Sequence, residues 1–161
     1  MALNPVTELE SIVDALTADG VSYALCGGLA LGLHGHPRAT GDIDLLVEAA
    51  NLERALATAK RVGFDVPARK MIFGLRTGKH REVQRVSKLD PETGALLPLD
   101  FLIVNEELTE VWATRITIDT GARKLTMVSR AGLATMKRIA GRAQDLVDVA
   151  KLEGTDDDDE A

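Results

Sequence analysis

The sequence predicts an α/β domain of the α+β kind, and three observations carry that reading. Apolar residues recur at helical spacing near both ends of the chain. Short alternating or continuous apolar runs fill the middle. Turn residues punctuate these segments, and no linker among them is long enough to separate one domain from another. The 161 residues are 45% hydrophobic, enough for one domain to bury a core. Residues 1–154 are read as that single domain and 155–161 as an acidic, disordered tail.

Taken in order, Leu9, Ile12, Val13 and Leu16 predict a helix from about Pro5 to Ala18, stopped at Asp19-Gly20. Val21 to Leu25 reads as a short strand running into Gly27-Gly28, and Leu29 to Leu33 as a short helix launched from the diglycine. After His36-Pro37-Arg38 comes Asp42-Ile43-Asp44-Leu45-Leu46-Val47, which has the period of a strand. A helix over Leu52 to Val62 is closed by Gly63. Met71 to Arg76 and Arg81 to Val86, around Thr77-Gly78-Lys79-His80, predict a hairpin. Leu99 to Val104 predicts a further strand, Glu106 to Ala113 a short helix, and Arg115–Asp119 with Lys124–Val128 a second hairpin. Ser129 suits the N-cap of a helix over Arg130 to Ala140; Gly141 breaks it, and Arg142 to Leu152 forms the second of two C-terminal helices.

Charge is unevenly placed. The formal net charge is −6, but the run Asp156 to Glu160 holds −5 of it. Residues 54–88 carry ten Lys or Arg against Asp65 and Glu82, which suits either solvated surface or a phosphate-facing patch. No run of about 18 apolar residues and no leader pattern stands out, so neither a membrane span nor a secretory signal is expected. Cys26 is the only cysteine, which excludes an internal disulfide and suits a cytoplasmic protein.

The chemistry concentrates between Cys26 and Glu48. On a strand, Asp42 and Asp44 emerge on one face roughly 7 Å apart while Ile43 and Leu45 face the other. Asp100 stands in the apolar run Leu99-Asp100-Phe101-Leu102, where an ionised carboxylate needs a cation, a base or solvent. If its strand lies beside that of Asp42 and Asp44, three carboxylates converge as oxygen ligands suited to Mg²⁺ or Mn²⁺. Gly27 and Gly28 leave room for a backbone to approach a triphosphate. Arg38 suits either a phosphate or a local acid; Lys137 either reaches phosphate oxygens or snorkels to the surface. Asp145 is expected to pair with Arg142 or Lys137 and so to fix the last two helices. His34 and His36 are read as loop residues and Cys26 as a small core residue.

Gly27-Gly28, thirteen residues, Asp42-x-Asp44 and a later acid on a strand together resemble the nucleotidyltransferase superfamily that includes DNA polymerase beta and the aminoglycoside nucleotidyltransferases. Pro37-Arg38-Ala39-Thr40-Gly41-Asp42-Ile43-Asp44 and the later Lys137-x(4)-Arg142-x-x-Asp145 are similar to small bacterial nucleotidyltransferases of the abortive-infection and toxin–antitoxin kind. The resemblance covers about Tyr23 to Leu152. It implies a mixed sheet flanked by helices and metal-dependent transfer of a nucleoside monophosphate from a triphosphate to a hydroxyl acceptor. Asp42, Asp44 and Asp100 would be the catalytic and Mg²⁺- or Mn²⁺-binding residues, and Gly27, Gly28, Arg38 and Lys137 would bind the nucleotide. The acceptor would be RNA such as tRNA, a protein or a small molecule, and a cognate toxin or antitoxin is an expected partner. The alternative is an inactive protein of this fold that binds a nucleotide or a partner.

Overall fold

The computed structural model describes residues 2–74 and 80–154. The expected tail, Arg76 and most of the first hairpin turn (Thr77, Gly78 and Lys79) lie outside the described residues. The elements run α1 (Pro5–Ala18), β1 (Ala24–Cys26), α2 (Gly27–Leu33), β2 (Ile43–Val47), α3 (Leu52–Arg61), β3 (Val66–Pro67), β4 (Met71–Phe73) and β5 (Arg81–Leu89). They continue as β6 (Leu96–Ile103), α4 (Thr109–Ala113), β7 (Ile116–Asp119), β8 (Lys124–Met127), α5 (Arg130–Ala140) and α6 (Ala143–Glu153).

Local chemistry sets the helix ends. The Asn4 side chain accepts hydrogen bonds from the backbone N–H of Val6 and Thr7, and Pro5 sits where a missing N–H costs nothing. Ser129 caps α5 by accepting from the Gly132 N–H at 3.0 Å. Gly141, at φ +68°, ends it in the left-handed conformation.

The strands form one mixed sheet in the order β3-β5-β6-β2-β1-β8-β7, with β4 also paired to β5. β2 runs parallel to β6 and β1 parallel to β8; the other pairs are antiparallel. Ile43, Leu45, Leu99 and Phe101 are fully buried on one face of the central strands. α1 packs with α3, while α5 packs with α4, α6 and α2. None of the described helices is long and apolar enough to cross a membrane.

Several boundaries differ from expectation: β5 runs on to Leu89 instead of ending at Val86, and α4 begins at Thr109 instead of Glu106. β1 starts at Ala24 instead of Val21, because its ladder to β2 begins only at Ala24 opposite Leu46. β6 starts earlier, at Leu96, and runs through Pro98. Proline is tolerated there because β2 begins opposite Leu99, so at Pro98 the strand has a neighbour on one side only. β3 has only two residues, one of them proline, and offers no periodicity to read; it pairs with Ser87 and Val86 of β5.

Candidate active site

Strand register builds a row across the sheet. Asp44 of β2 lies opposite Asp100 of β6, and Asp100 lies opposite Arg85 of β5. Residues facing each other across a ladder project on the same side, and Asp42 joins them two positions before Asp44. One carboxylate oxygen from each of Asp42, Asp44 and Asp100 lies within 4.8 Å of the others. The convergence expected from the sequence is therefore present, and it is tighter than the spacing of residues along a strand.

Burial pushes the Asp44 carboxyl up to about 7, and the neighbouring charges of Asp42 and Asp100 push the same way. Three carboxylates this close repel one another when all are ionised, and a divalent cation removes that repulsion. An all-oxygen, acidic donor set fits a hard ion such as Mg²⁺ or Mn²⁺ and not zinc.

The diglycine has a different immediate reason from the one the sequence suggested. Gly27 adopts φ +70°, and a Cβ built on it would lie 2.1 Å from Asp44 Oδ2. A Cβ on Gly28 would lie 3.0 Å from Thr40 Oγ1. The start of α2 is thus made of glycine so that the acid strand and the loop before it can lie against it. Thr40 was not singled out from the sequence; its hydroxyl donates to Asp42 Oδ1 at 3.3 Å, linking the diglycine to the acids. A threonine two residues before an aspartate is too common a pattern to have signalled this.

Both expected phosphate-binding cations line the same cleft, of about 530 Å³, but both are engaged in ion pairs. Arg38 Nη1 donates to Asp148 Oδ1 at 2.6 Å. Lys137 is 7% exposed, with Nζ 3.1 Å from Asp148 Oδ2 and 3.6 Å from Asp145 Oδ1. The contact to Asp148 is ionic, since that oxygen accepts no aligned hydrogen bond. Arg142 donates Nε to Asp145 Oδ2 at 2.6 Å. Burial works against the Asp145 and Asp148 carboxylates, but the hydrogen bonds from Arg142 to the first, and the Lys137 ammonium together with the hydrogen bonds from Arg38 and Gln144 to the second, outweigh it and hold both below the usual range. The expected pairing of Asp145 with Arg142 or Lys137 is found with both residues, and it ties α5 to α6. Asp148 extends it to the loop that carries Arg38.

The described cations of the basic segment 54–88 are dispersed. Arg61 pairs with Asp19, Lys88 with Glu8, and Lys70 with Glu82 at a longer 3.7 Å. Arg54 donates to the Asp19 carbonyl. Arg81 and Arg85 instead face the cleft. Arg81 stacks over the Phe73 ring at 5.1 Å. Arg85 donates Nε to Asp100 Oδ1 at 2.7 Å and Nη2 to Asp100 Oδ2 at 2.9 Å. Sequence reading placed both in the basic strip without assigning them to the site.

Among the remaining candidates, a ring nitrogen of His34 lies 3.0 Å from the Val128 carbonyl. Cys26 is buried, and burial raises its thiol well above the ordinary range, which leaves it protonated.

No family model and no curated protein matches the chain. Solved structures do. The lincosamide antibiotic adenylyltransferase LnuA, bound to lincomycin, is 16% identical with a TM-score of 0.57 over 92% of this chain and 96% of its own. TM1012 from Thermotoga maritima, a protein assigned as a nucleotidyltransferase, is 13% identical with a TM-score of 0.62 over 91% and 90%. ANT(2")-Ia, in complex with adenylyl-2"-tobramycin, is 15% identical with a TM-score of 0.61 over 93% and 87%. The chain has the nucleotidyltransferase fold.

Proposed function

We propose that this chain is an enzyme that transfers a nucleoside monophosphate from a nucleoside triphosphate to a hydroxyl acceptor. The single observation that carries the reading is the convergence of Asp42, Asp44 and Asp100 within 4.8 Å at the mouth of a cleft, on a sheet of the nucleotidyltransferase fold. Asp42, Asp44 and Asp100 would hold Mg²⁺ or Mn²⁺, which would polarise the α-phosphate and stabilise the departing pyrophosphate.

The chain's own residues supply the rest. Arg81 offers the β- and γ-phosphates a guanidinium braced on Phe73. Gly27 and Gly28 line the same cleft, and Arg38 and Lys137, which also line it, would reach phosphate oxygens by sharing their charge between the nucleotide and their Asp145 and Asp148 partners. The acceptor oxygen attacks the α-phosphorus, the bond from that phosphorus to the bridging oxygen breaks, and pyrophosphate leaves with the electron pair. Asp100 accepts the hydroxyl proton.

Two solved neighbours bind lincomycin or adenylyl-tobramycin and are nearly fully covered by this chain, which supports a small hydroxylated molecule as acceptor. RNA such as tRNA is the second reading, favoured by Arg69, Lys70 and Arg81 around the β4–β5 edge. The sequence resemblance extends the proposal to a cytoplasmic toxin–antitoxin or defence role with a cognate antitoxin as partner. Incubation with each labelled triphosphate, Mg²⁺ or Mn²⁺, and in turn aminoglycosides, lincosamides and bacterial RNA tests the reading. Label on a small molecule, on RNA or on neither separates the two acceptors from the inactive alternative.

A further inference from the structure

Arg85 sits where an enzyme with a two-ion carboxylate site would need room for a cation. Its guanidinium takes both oxygens of Asp100 at 2.7 and 2.9 Å, in a parallel fork, across directly opposed positions of β5 and β6. Asp100 is 7% exposed, so few other directions are open to it. Hydrogen bonding to Asp100 raises the Arg85 pKa further, so its charge is permanent. A divalent ion seated on an Asp100 oxygen at roughly 2.1 Å would stand beside that guanidinium, where the two positive charges repel at short range. Among the described residues, Asp42 and Asp44 have no such partner, and the Asp42 carboxylate accepts only from Thr40.

Resting on the metal-dependent reading above, we propose that Arg85 is a resident cation that holds the Asp100 end of the cluster against a divalent ion. In the nucleotide-free protein one ion binds, at Asp42 and Asp44. A second ion reaches Asp100 only when triphosphate oxygens compete for Arg85 and draw its fork away. Arg85 is thus a positioning residue for Asp100: it holds the third carboxylate aimed while the cleft is empty, and it makes full metal loading conditional on the nucleotide.

The test is Mn²⁺ binding to the intact chain without nucleotide, followed by the loss of the free-ion electron spin resonance signal at about pH 8, where Asp44 is ionised. The parent is expected to bind one ion per chain and Arg85→Gln two, the second with affinity raised by about tenfold or more. Adding a non-hydrolysable triphosphate should bring the parent to two. Arg85→Lys, which keeps a charge but loses the fork, should bind the second ion more tightly than the parent and more weakly than Arg85→Gln, and it serves if the glutamine variant does not fold. Equal stoichiometry and affinity in the parent and both variants overturns the role of Arg85 and leaves the metal-dependent reading standing. No Mn²⁺ bound by any of them, with or without triphosphate, overturns both.

Discussion

Gly27 and Asp44 are in such close register that a single methyl group cannot be placed between them: a Cβ on Gly27 would lie 2.1 Å from Asp44 Oδ2 and 2.8 Å from its carboxyl carbon. The left-handed φ of +70° at Gly27 adds a second restriction on any side chain there. Gly27→Ala is therefore expected to cost about 1–2 kcal/mol in denaturant unfolding from backbone strain, and to turn the Asp44 carboxyl out of the cluster. Mn²⁺ affinity should fall by about tenfold or more. Gly28→Ala meets only Thr40, at 3.0 Å, and Gly28 is not among the positive-φ glycines, so its effect on both measurements should be smaller.

Removing a metal ligand should stabilise the empty protein in one case. Asp44 carries a pKa of about 7 because burial and two neighbouring acids oppose its charge. Asp44→Asn removes that opposition, so above neutral pH the metal-free variant should melt at a higher temperature than the parent while losing Mg²⁺-dependent transfer. Asp100→Asn should also abolish transfer without the gain in stability, since it takes away the partner of Arg85.

The same pKa fixes a pH dependence. Asp44 is raised above its unfolded value of 3.8, so its stabilising contribution is fully present below about pH 4 and is lost as pH rises through about 7. Between those values the folded protein binds more protons at this site than the unfolded one. In the absence of divalent metal, the Asp44 contribution to the stability profile should therefore decline by a few kcal/mol at most across that window, and it should vanish in Asp44→Asn. Saturating Mg²⁺ should reverse the slope, because the ion binds the ionised form. Denaturant melts of parent and variant at several pH values check both signs.

Much of the site was legible because its signals are local. The period of β2 put Asp42 and Asp44 on one face, and a lone charge in Leu99-Asp100-Phe101 required a partner. The pairing of Asp145 with Arg142 or Lys137 followed from helix spacing across a glycine break, and the structure makes both contacts. Arg85 was not legible as a site residue. Its place opposite Asp100 depends on the register of β5 on β6, fifteen residues apart through a turn, and a slip of one residue would send it to the other face. The reason for Gly27 was hidden likewise, because its crowding partner lies on a strand seventeen positions later.

The charge network behind the cleft makes its own prediction. Asp148 is fully buried, and its charge is balanced by Lys137 and by Arg38. Lys137→Met leaves that carboxylate with one cation and should destabilise the fold by about 3–5 kcal/mol. Arg38→Ala should cost less, because Arg38 is about one third exposed and water can replace some of its contact. If Lys137 also serves the nucleotide, Lys137→Arg, which keeps the charge, should weaken triphosphate binding by less than the methionine variant in calorimetric titration.

Nucleotidyl transfer at Asp42, Asp44 and Asp100 can be read in a single experiment. Parent protein, Asp42→Asn and Asp44→Asn are incubated with Mg²⁺ or Mn²⁺, a panel of hydroxyl acceptors, and triphosphates labelled separately at the α- and γ-phosphate. Label from the α-position should appear on an acceptor with release of γ-label as pyrophosphate, in the parent and in neither variant. Transfer of the γ-label, equal transfer by the variants, or triphosphate bound with no transfer to any acceptor would contradict nucleotidyl transfer at these three carboxylates.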